Sequence, residues 1–176
     1  MSERITELKN EYFTRGTLSE LRSQLFIAGE WCDAAGGQTL EVFDPSTAQC
    51  FATVSAAQTE DVARAVEAAD DAFHAGWRDL KPSERGLTLA RAADLLEQQT
   101  DLFSVVEALD SGKPLGEAQG DVSSSVQALR YYAGCADKIQ GDSFPLGAET
   151  FSFSCLEPVG VTAHIIPWNY PLATTI

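Results

Sequence analysis

The sequence has few basic residues and no long apolar run. Its 176 residues hold 12 Lys and Arg against 26 Asp and Glu, a formal net charge of −14 at pH 7. A surface that binds nucleic acid or an anionic membrane needs clustered Lys and Arg, so neither partner is expected. The charge is typical of an acidic, solvated protein surface.

Targeting signals are also missing from the pattern. The segment 1–4 is polar, and no apolar stretch follows it that would make a secretory signal. The longest apolar runs are shorter than the roughly 20 residues that cross a membrane as a helix. We therefore expect a cytoplasmic protein.

Metal-binding cysteine patterns are absent as well. The four cysteines form no C-x-x-C pair, and neither histidine lies near one in sequence: Cys32, Cys50, Cys135, Cys155, His74 and His164. This spacing argues against a zinc site. We expect four free thiols that are buried as small apolar side chains.

The chain does contain the apolar residues of a folded domain. Hydrophobic residues make up 44% of the sequence, too many for a disordered acidic tail. The length suits one domain with its own core, or one domain and a small appendage, and is short for a two-domain enzyme with a cofactor.

The order of patterns along the chain is β, then α, then β. Residues 1–24 resemble an uncapped extension, a weak helix or a frayed arm. Residues 25–54 read as a hairpin followed by two strands, joined by a turn at Asp44-Pro45. Four helical patterns follow, and Gly112 with Pro114 marks the end of the third.

Two strands are predicted near the carboxyl end. Residues 150–155 alternate in polarity, which predicts a half-buried strand with Phe151 and Phe153 on one face. Residues 159–166 are almost continuously apolar or small, which predicts a central strand of a parallel α/β sheet, covered on both faces. The loop 167–171 follows at the edge where open α/β sheets bind ligands.

Asn169 is the main candidate for chemistry in this loop. It lies between Pro167 and Pro171, which stiffen the backbone. An amide donor held there suits the polarisation of a carbonyl or the stabilisation of an oxyanion. The alternative is an Asn that hydrogen-bonds only its own turn.

The sequence resembles the aldehyde dehydrogenase superfamily. The stretches Glu157–Val161 and Ile165–Leu172 are similar to its signature. Five further segments match segments of the family in the same order: Phe26–Trp31, Asp44–Thr47, Trp77 with Glu84-Arg85, Leu109–Pro114 and Tyr131–Gly134. Ala48, which follows Asp44–Thr47, stands where the family usually has Gly. The resemblance covers about residues 25–176 without a gap.

The resemblance implies an α/β fold, the incomplete N-terminal part of an aldehyde dehydrogenase-like Rossmann-type cofactor domain with an oligomerisation hairpin. Residues 1–24 form the extension and 25–139 the first part of the cofactor domain. Residues 140–158 form the hairpin. Residues 159–176 hold the first central strand and the Pro-Trp-Asn loop.

It also implies an activity and a set of site residues. The family oxidises an aldehyde to a carboxylic acid with NAD or NADP, through a cysteine thioester, and its members form homo-oligomers. Asn169 matches the oxyanion donor, and Tyr170 matches an aromatic of the substrate tunnel. The cofactor cleft is matched by Ile165, Ile166, Pro167 and Trp168, and backbone positions near a monovalent-cation site by Phe43 and Asp110.

The family's nucleophilic cysteine and general-base glutamate come later than Ile176, and none of the four cysteines lies in the nucleophile motif. We therefore expect an N-terminal fragment that is inactive alone. The alternative is a non-catalytic partner or pseudoenzyme of 176 residues that pairs with full-length subunits through the 140–158 hairpin.

Overall fold

The computed structural model describes residues 2–176, which form helices and three separate two-stranded antiparallel sheets. The strands are Leu25–Ile27 (β1), Glu30–Cys32 (β2), Thr39–Asp44 (β3), Gln49–Ser55 (β4), Ser143–Pro145 (β5) and Phe151–Phe153 (β6). The sheets pair β1 with β2, β3 with β4, and β5 with β6. The helices are Glu3–Arg15 (α1), Thr59–Ala72 (α2), Pro82–Gln98 (α3), Thr100–Ser111 (α4), Leu115–Cys135 (α5) and Pro171–Thr175 (α6), with a π-helical turn at Phe73–Trp77.

Helix α1 corrects the prediction for the first 24 residues, of which Met1 lies outside the described residues. The Ser2 hydroxyl accepts a hydrogen bond from the Ile5 N–H at 3.1 Å, and Gly16 ends the helix at a φ of 72°. Ile5, Leu8 and Tyr12 share one face and are buried. The expected helix is present, but the expectation that it is uncapped and frayed is wrong.

Two small apolar clusters hold the elements together. The first joins α1, β4 and α4 through Ile5, Leu8, Tyr12, Leu18, Phe51 and Val105. The second joins α3 and α5 through Ala93, Leu96, Val122 and Val126, and Leu172 of α6 packs against it. The short carboxyl-terminal helix is thereby attached to the helical part of the chain.

The Asp44 carboxylate organises the turn between β3 and β4. It is 3% exposed and accepts hydrogen bonds from the Tyr12 hydroxyl at 2.7 Å, the Ser46 N–H at 2.7 Å and the Thr47 hydroxyl at 2.9 Å. Burial by itself would raise the pKa of Asp44, but these donors outweigh it and lower the pKa below its ordinary value. The ionised carboxylate therefore links α1 to the turn.

We expect Asp44→Asn to lower the free energy of unfolding by about 1–3 kcal/mol at pH 7, because an amide cannot accept at both of its heavy atoms. A lowered pKa gives stability that is present above the unfolded pKa and is lost as the pH falls through the folded one. The difference in the free energy of unfolding between Asp44→Asn and wild type should therefore become smaller below about pH 4. Urea unfolding between pH 7 and pH 3 measures it, with Asp71→Asn at an exposed site as control. A difference that stays constant with pH would contradict this role.

The segment 159–166 is not a strand in this structure. No strand of the three sheets pairs with it, and Val159 is 94% and Ile165 100% exposed. The prediction of a central strand covered on both faces is therefore wrong here, because no strand among residues 2–176 pairs with this segment and its apolar side chains at Val159 and Ile165 are exposed.

Apolar side chains of two further elements are exposed where the sequence pattern predicts burial. Strands β5 and β6 form the hairpin expected within 140–158. Phe151 is 76% and Phe153 65% exposed, so the prediction that this strand is half-buried through its Phe face is wrong. Helix α2 forms as predicted, yet Val62 and Val66 of its apolar face are exposed. In both elements the apolar face lacks a covering element among the described residues.

The cysteines are free thiols, as expected, but not buried ones. Cys50 and Cys155 are exposed, while Cys32 and Cys135 are partly buried. Residues 2–176 contain no group of three or more His, Cys, Asp or Glu side chains arranged to hold a metal ion. None of the helices in the same range has the length and apolar character to cross a membrane.

Candidate functional site

The loop that carries Asn169 borders an open cavity of about 710 Å³. The cavity is lined by residues from the end of α4, from α5 and from this loop: Ser111, Lys113, Glu117, Gly120, Asp121, Ser124, Trp168, Asn169 and Tyr170. A separate cavity of about 350 Å³ between the π-helical turn and residues 156–158 contains none of the predicted site residues. We therefore take the larger cavity as the candidate site.

Lys113 lies at the floor of this site because of the two residues that flank it. Gly112 adopts a φ of 73° and ends α4, with its N–H on the Ala108 carbonyl at 3.0 Å. Pro114 starts α5. The lysine therefore lies in a three-residue connection between two helices, and its side chain contacts both of them.

The Lys113 ammonium is buried between two carboxylates. Its Nζ lies 2.7 Å from Glu107 Oε1 of α4 and 2.6 Å from Asp121 Oδ2 of α5. The three side chains are 10%, 5% and 18% exposed. Burial by itself would lower the pKa of Lys113, but the two carboxylates raise it above its ordinary value. The lysine therefore stays charged at neutral pH.

The same ammonium reaches the loop. Lys113 Nζ donates to the Asn169 main-chain carbonyl at 2.9 Å and lies 4.6 Å from the centre of the Tyr170 ring. This contact uses the main chain of Asn169, so it leaves the side-chain amide to a ligand. Asn169 is exposed at the cavity edge.

The predicted cofactor residues face solvent more than the cavity. Ile165 and Trp168 are 100% and 80% exposed, Pro167 is exposed, and Ile166 is partly buried. Of these four, only Trp168 lines the cavity. Tyr170 lines it too, next to Asn169.

Phe43 and Asp110 lie away from this cavity. Phe43 is on β3 and is 51% exposed, while Asp110 is near the end of α4. Partial burial raises the pKa of Asp110, and the charge of Glu107 adds to the effect. The two elements are neighbours in the fold, but the cation site remains an expectation from the resemblance.

The ion pairs of Lys113 with Glu107 and Asp121 were not predicted from the sequence. Lys113 belongs to the matched segment Leu109–Pro114, but no role was predicted for it. A usable signal was the single Lys between a helix-ending Gly and a helix-starting Pro, since that position brings it against both helices.

Comparisons with known proteins agree with the resemblance. Residues 31–176 match the aldehyde dehydrogenase family. The chain is 43% identical over 148 residues to an aldehyde dehydrogenase of Aspergillus niger, covering 84% of this chain and 30% of that protein. It is 44% identical over 153 residues to a mitochondrial aldehyde dehydrogenase of Equus caballus, covering 85% and 31%.

Solved structures give the same result. A betaine aldehyde dehydrogenase of Staphylococcus aureus in complex with NAD+ superposes with a TM-score of 0.86 at 34% identity, over 90% of this chain and 32% of that one. An indole-3-acetaldehyde dehydrogenase of P. syringae in complex with NAD+ superposes with a TM-score of 0.89 at 32% identity, over 97% and 34%. The chain thus spans about a third of the length of these relatives. Because residues 31–176 match the family and the structure has part of the fold of these enzymes, the chain belongs to the aldehyde dehydrogenase family.

Proposed function

We propose that the chain is the N-terminal part of an NAD(P)-dependent aldehyde dehydrogenase that oxidises a small aldehyde to a carboxylic acid through a cysteine thioester. The observation that carries this is the family match over 31–176, together with the TM-score of 0.86 to an NAD+-bound family member.

Asn169 is the proposed oxyanion donor. Its main chain is fixed by Lys113, and its amide is exposed at the edge of the cavity. A donor held in place before the substrate arrives stabilises developing negative charge without the cost of reorganisation. Tyr170, beside it, is the proposed wall of the substrate tunnel.

The residues proposed for the cofactor fit one wall of its cleft. The exposed apolar surfaces of Ile165 and Trp168, with Ile166 and Pro167 between them, suit contact with a flat nicotinamide nucleotide. A bound NAD or NADP would supply the hydride acceptor for the oxidation. The proposed role of these residues is to bind and orient it beside Asn169.

The catalytic nucleophile is proposed to lie outside these residues. None of the four cysteines lines the cavity at Asn169. The chain by itself is therefore proposed to be inactive. Phe43 and Asp110 are retained as proposed backbone positions near a monovalent-cation site.

Assembly and location are also proposals. The exposed hairpin of β5 and β6 is proposed as the oligomerisation element of a homo-oligomer. Its exposed Phe151 and Phe153 equally support the alternative of a non-catalytic partner that adds strands to a full-length subunit. A cytoplasmic location is proposed, since a 42% identical relative of Macroscelides proboscideus is described as cytosolic, while others are described as mitochondrial.

A chimera tests the proposed function. In the chimera, the part of this chain that aligns with the Equus caballus relative over 153 residues replaces the corresponding part of that protein. This chain then supplies the loop that carries Asn169, and the relative supplies the remaining residues. We expect the chimera to reduce NAD+ or NADP+ in the presence of an aldehyde, and the isolated chain not to. A folded chimera without turnover would count against the proposal.

A further inference from the structure

The Lys113 ammonium has all three of its N–H donors engaged, which is the full capacity of a lysine. The acceptors are Glu107 Oε1 at 2.7 Å, Asp121 Oδ2 at 2.6 Å and the Asn169 carbonyl at 2.9 Å. These acceptors come from α4, α5 and the loop. One side chain therefore joins two consecutive helices to a loop that lies 56 residues further along the chain.

The arrangement is costly to break. Glu107 is 5% exposed, so removal of the lysine would leave a buried carboxylate without a counter-charge. The two carboxylates in turn hold the ammonium in place, and this fixes the direction of its third N–H donor. The third donor binds the main-chain carbonyl of Asn169.

The loop has little other packing near Asn169. Trp168 is 80% and Tyr170 49% exposed, and Leu172 is the next residue that reaches an apolar cluster. The Tyr170 ring, 4.6 Å from the ammonium, adds a cation–π contact to the same lysine. Both loop contacts therefore converge on Lys113.

We propose that Lys113 is a positioning residue that ties the main chain of Asn169 and the ring of Tyr170 to α4 and α5, and so fixes the direction of the Asn169 amide. The inference rests on the proposed function only for what the Asn169 amide does, which is to stabilise the oxyanion. The tie itself is measurable in the isolated chain without turnover. A mobile loop and an inactive enzyme are therefore separate outcomes.

The test follows the motion of Trp168 in the 176-residue chain. Trp31→Phe and Trp77→Phe leave Trp168 as the sole tryptophan, and time-resolved fluorescence anisotropy then reports the local motion next to Asn169. Lys113→Met keeps a long side chain but donates no hydrogen bond. We expect it to increase the amplitude of the fast, nanosecond component at least about twofold.

Two further variants separate this role from general stabilisation. Glu107→Gln removes one negative charge but keeps an oxygen that accepts from Lys113, so the ammonium and its contact to Asn169 stay in place. It should lower the melting temperature and leave the anisotropy unchanged. Lys113→Arg keeps the charge and the fold, yet its planar fork does not match three converging acceptors, so it should raise the fast amplitude less than Lys113→Met. The proposal is overturned if neither Lys113 variant changes the anisotropy, or if Glu107→Gln changes it as much as Lys113→Met.

Discussion

Replacing Asn169 by alanine in the chimera is expected to lower kcat about 10²–10³-fold, the usual effect of removing one oxyanion donor. The amide is proposed to contact the oxygen only when it carries negative charge, so the loss should fall mainly on kcat and little on KM. Steady-state kinetics with the aldehyde as the varied substrate measure both constants.

The matched control for this variant lies on the same segment. Thr175→Ala removes an exposed hydroxyl that bonds only the Pro171 carbonyl within α6, so kcat should stay within about twofold of the parent chimera. A kcat for Asn169→Ala within about twofold of the parent chimera would show that the amide is not the donor. Equal losses in both variants would point to damage of the loop instead.

Truncation of Leu8 to alanine is expected to lower the free energy of unfolding of the 176-residue chain by about 2.5–5 kcal/mol. Leu8 is fully buried in the cluster that joins α1 to β4 and α4. Its loss leaves a cavity that the surrounding side chains fill only in part. Urea unfolding followed by circular dichroism gives the value.

Asn10→Ala on the exposed face of the same helix serves as the comparison, with an expected change within about 0.5 kcal/mol. If Leu8→Ala unfolds at the same urea concentration as Asn10→Ala, α1 is the frayed arm that the sequence suggested. The large difference expected here would instead make α1 an integral part of the fold.

Local signals explain which elements could be predicted from the sequence. The helix end at Gly112 depends on one glycine with a φ of 73° and a proline two residues later, both visible in the sequence. The β3–β4 turn was likewise predicted from Asp44-Pro45. Ala48, which follows Thr47 at the end of this turn, takes a left-handed φ of 57°, a conformation that favours the Gly implied there by the resemblance.

Long-range contacts explain the failures. The apolar run 159–166 has the composition of a buried strand, but a strand forms only where another strand pairs with it, and none of the three sheets does. The burial of α1 depends on its contact with β4 and α4, which its mixed polarity does not reveal. Cys50 on β4 and Cys155 just after β6 are likewise exposed, which the sequence pattern does not reveal.

The candidate site was predicted only in part. The proline-flanked loop indicated Asn169, and the structure places it at the edge of the larger cavity. The ion-pair cluster of Lys113, Glu107 and Asp121 could not be predicted, because it requires the ends of α4 and α5 to lie side by side. Two of its members are 6 and 8 residues from the lysine, at spacings that matter only once both helices are packed.

The formation of NADH or NADPH by the unmodified chimera, measured beside the isolated chain, tests most directly whether residues 1–176 act as the N-terminal part of an aldehyde dehydrogenase. We expect turnover that depends on the aldehyde and lies within about tenfold, or 1.4 kcal/mol in activation free energy, of the Equus caballus parent. The isolated chain should give none. A chimera that melts cooperatively and binds the cofactor but oxidises no aldehyde, or turnover by the isolated chain, would contradict this account.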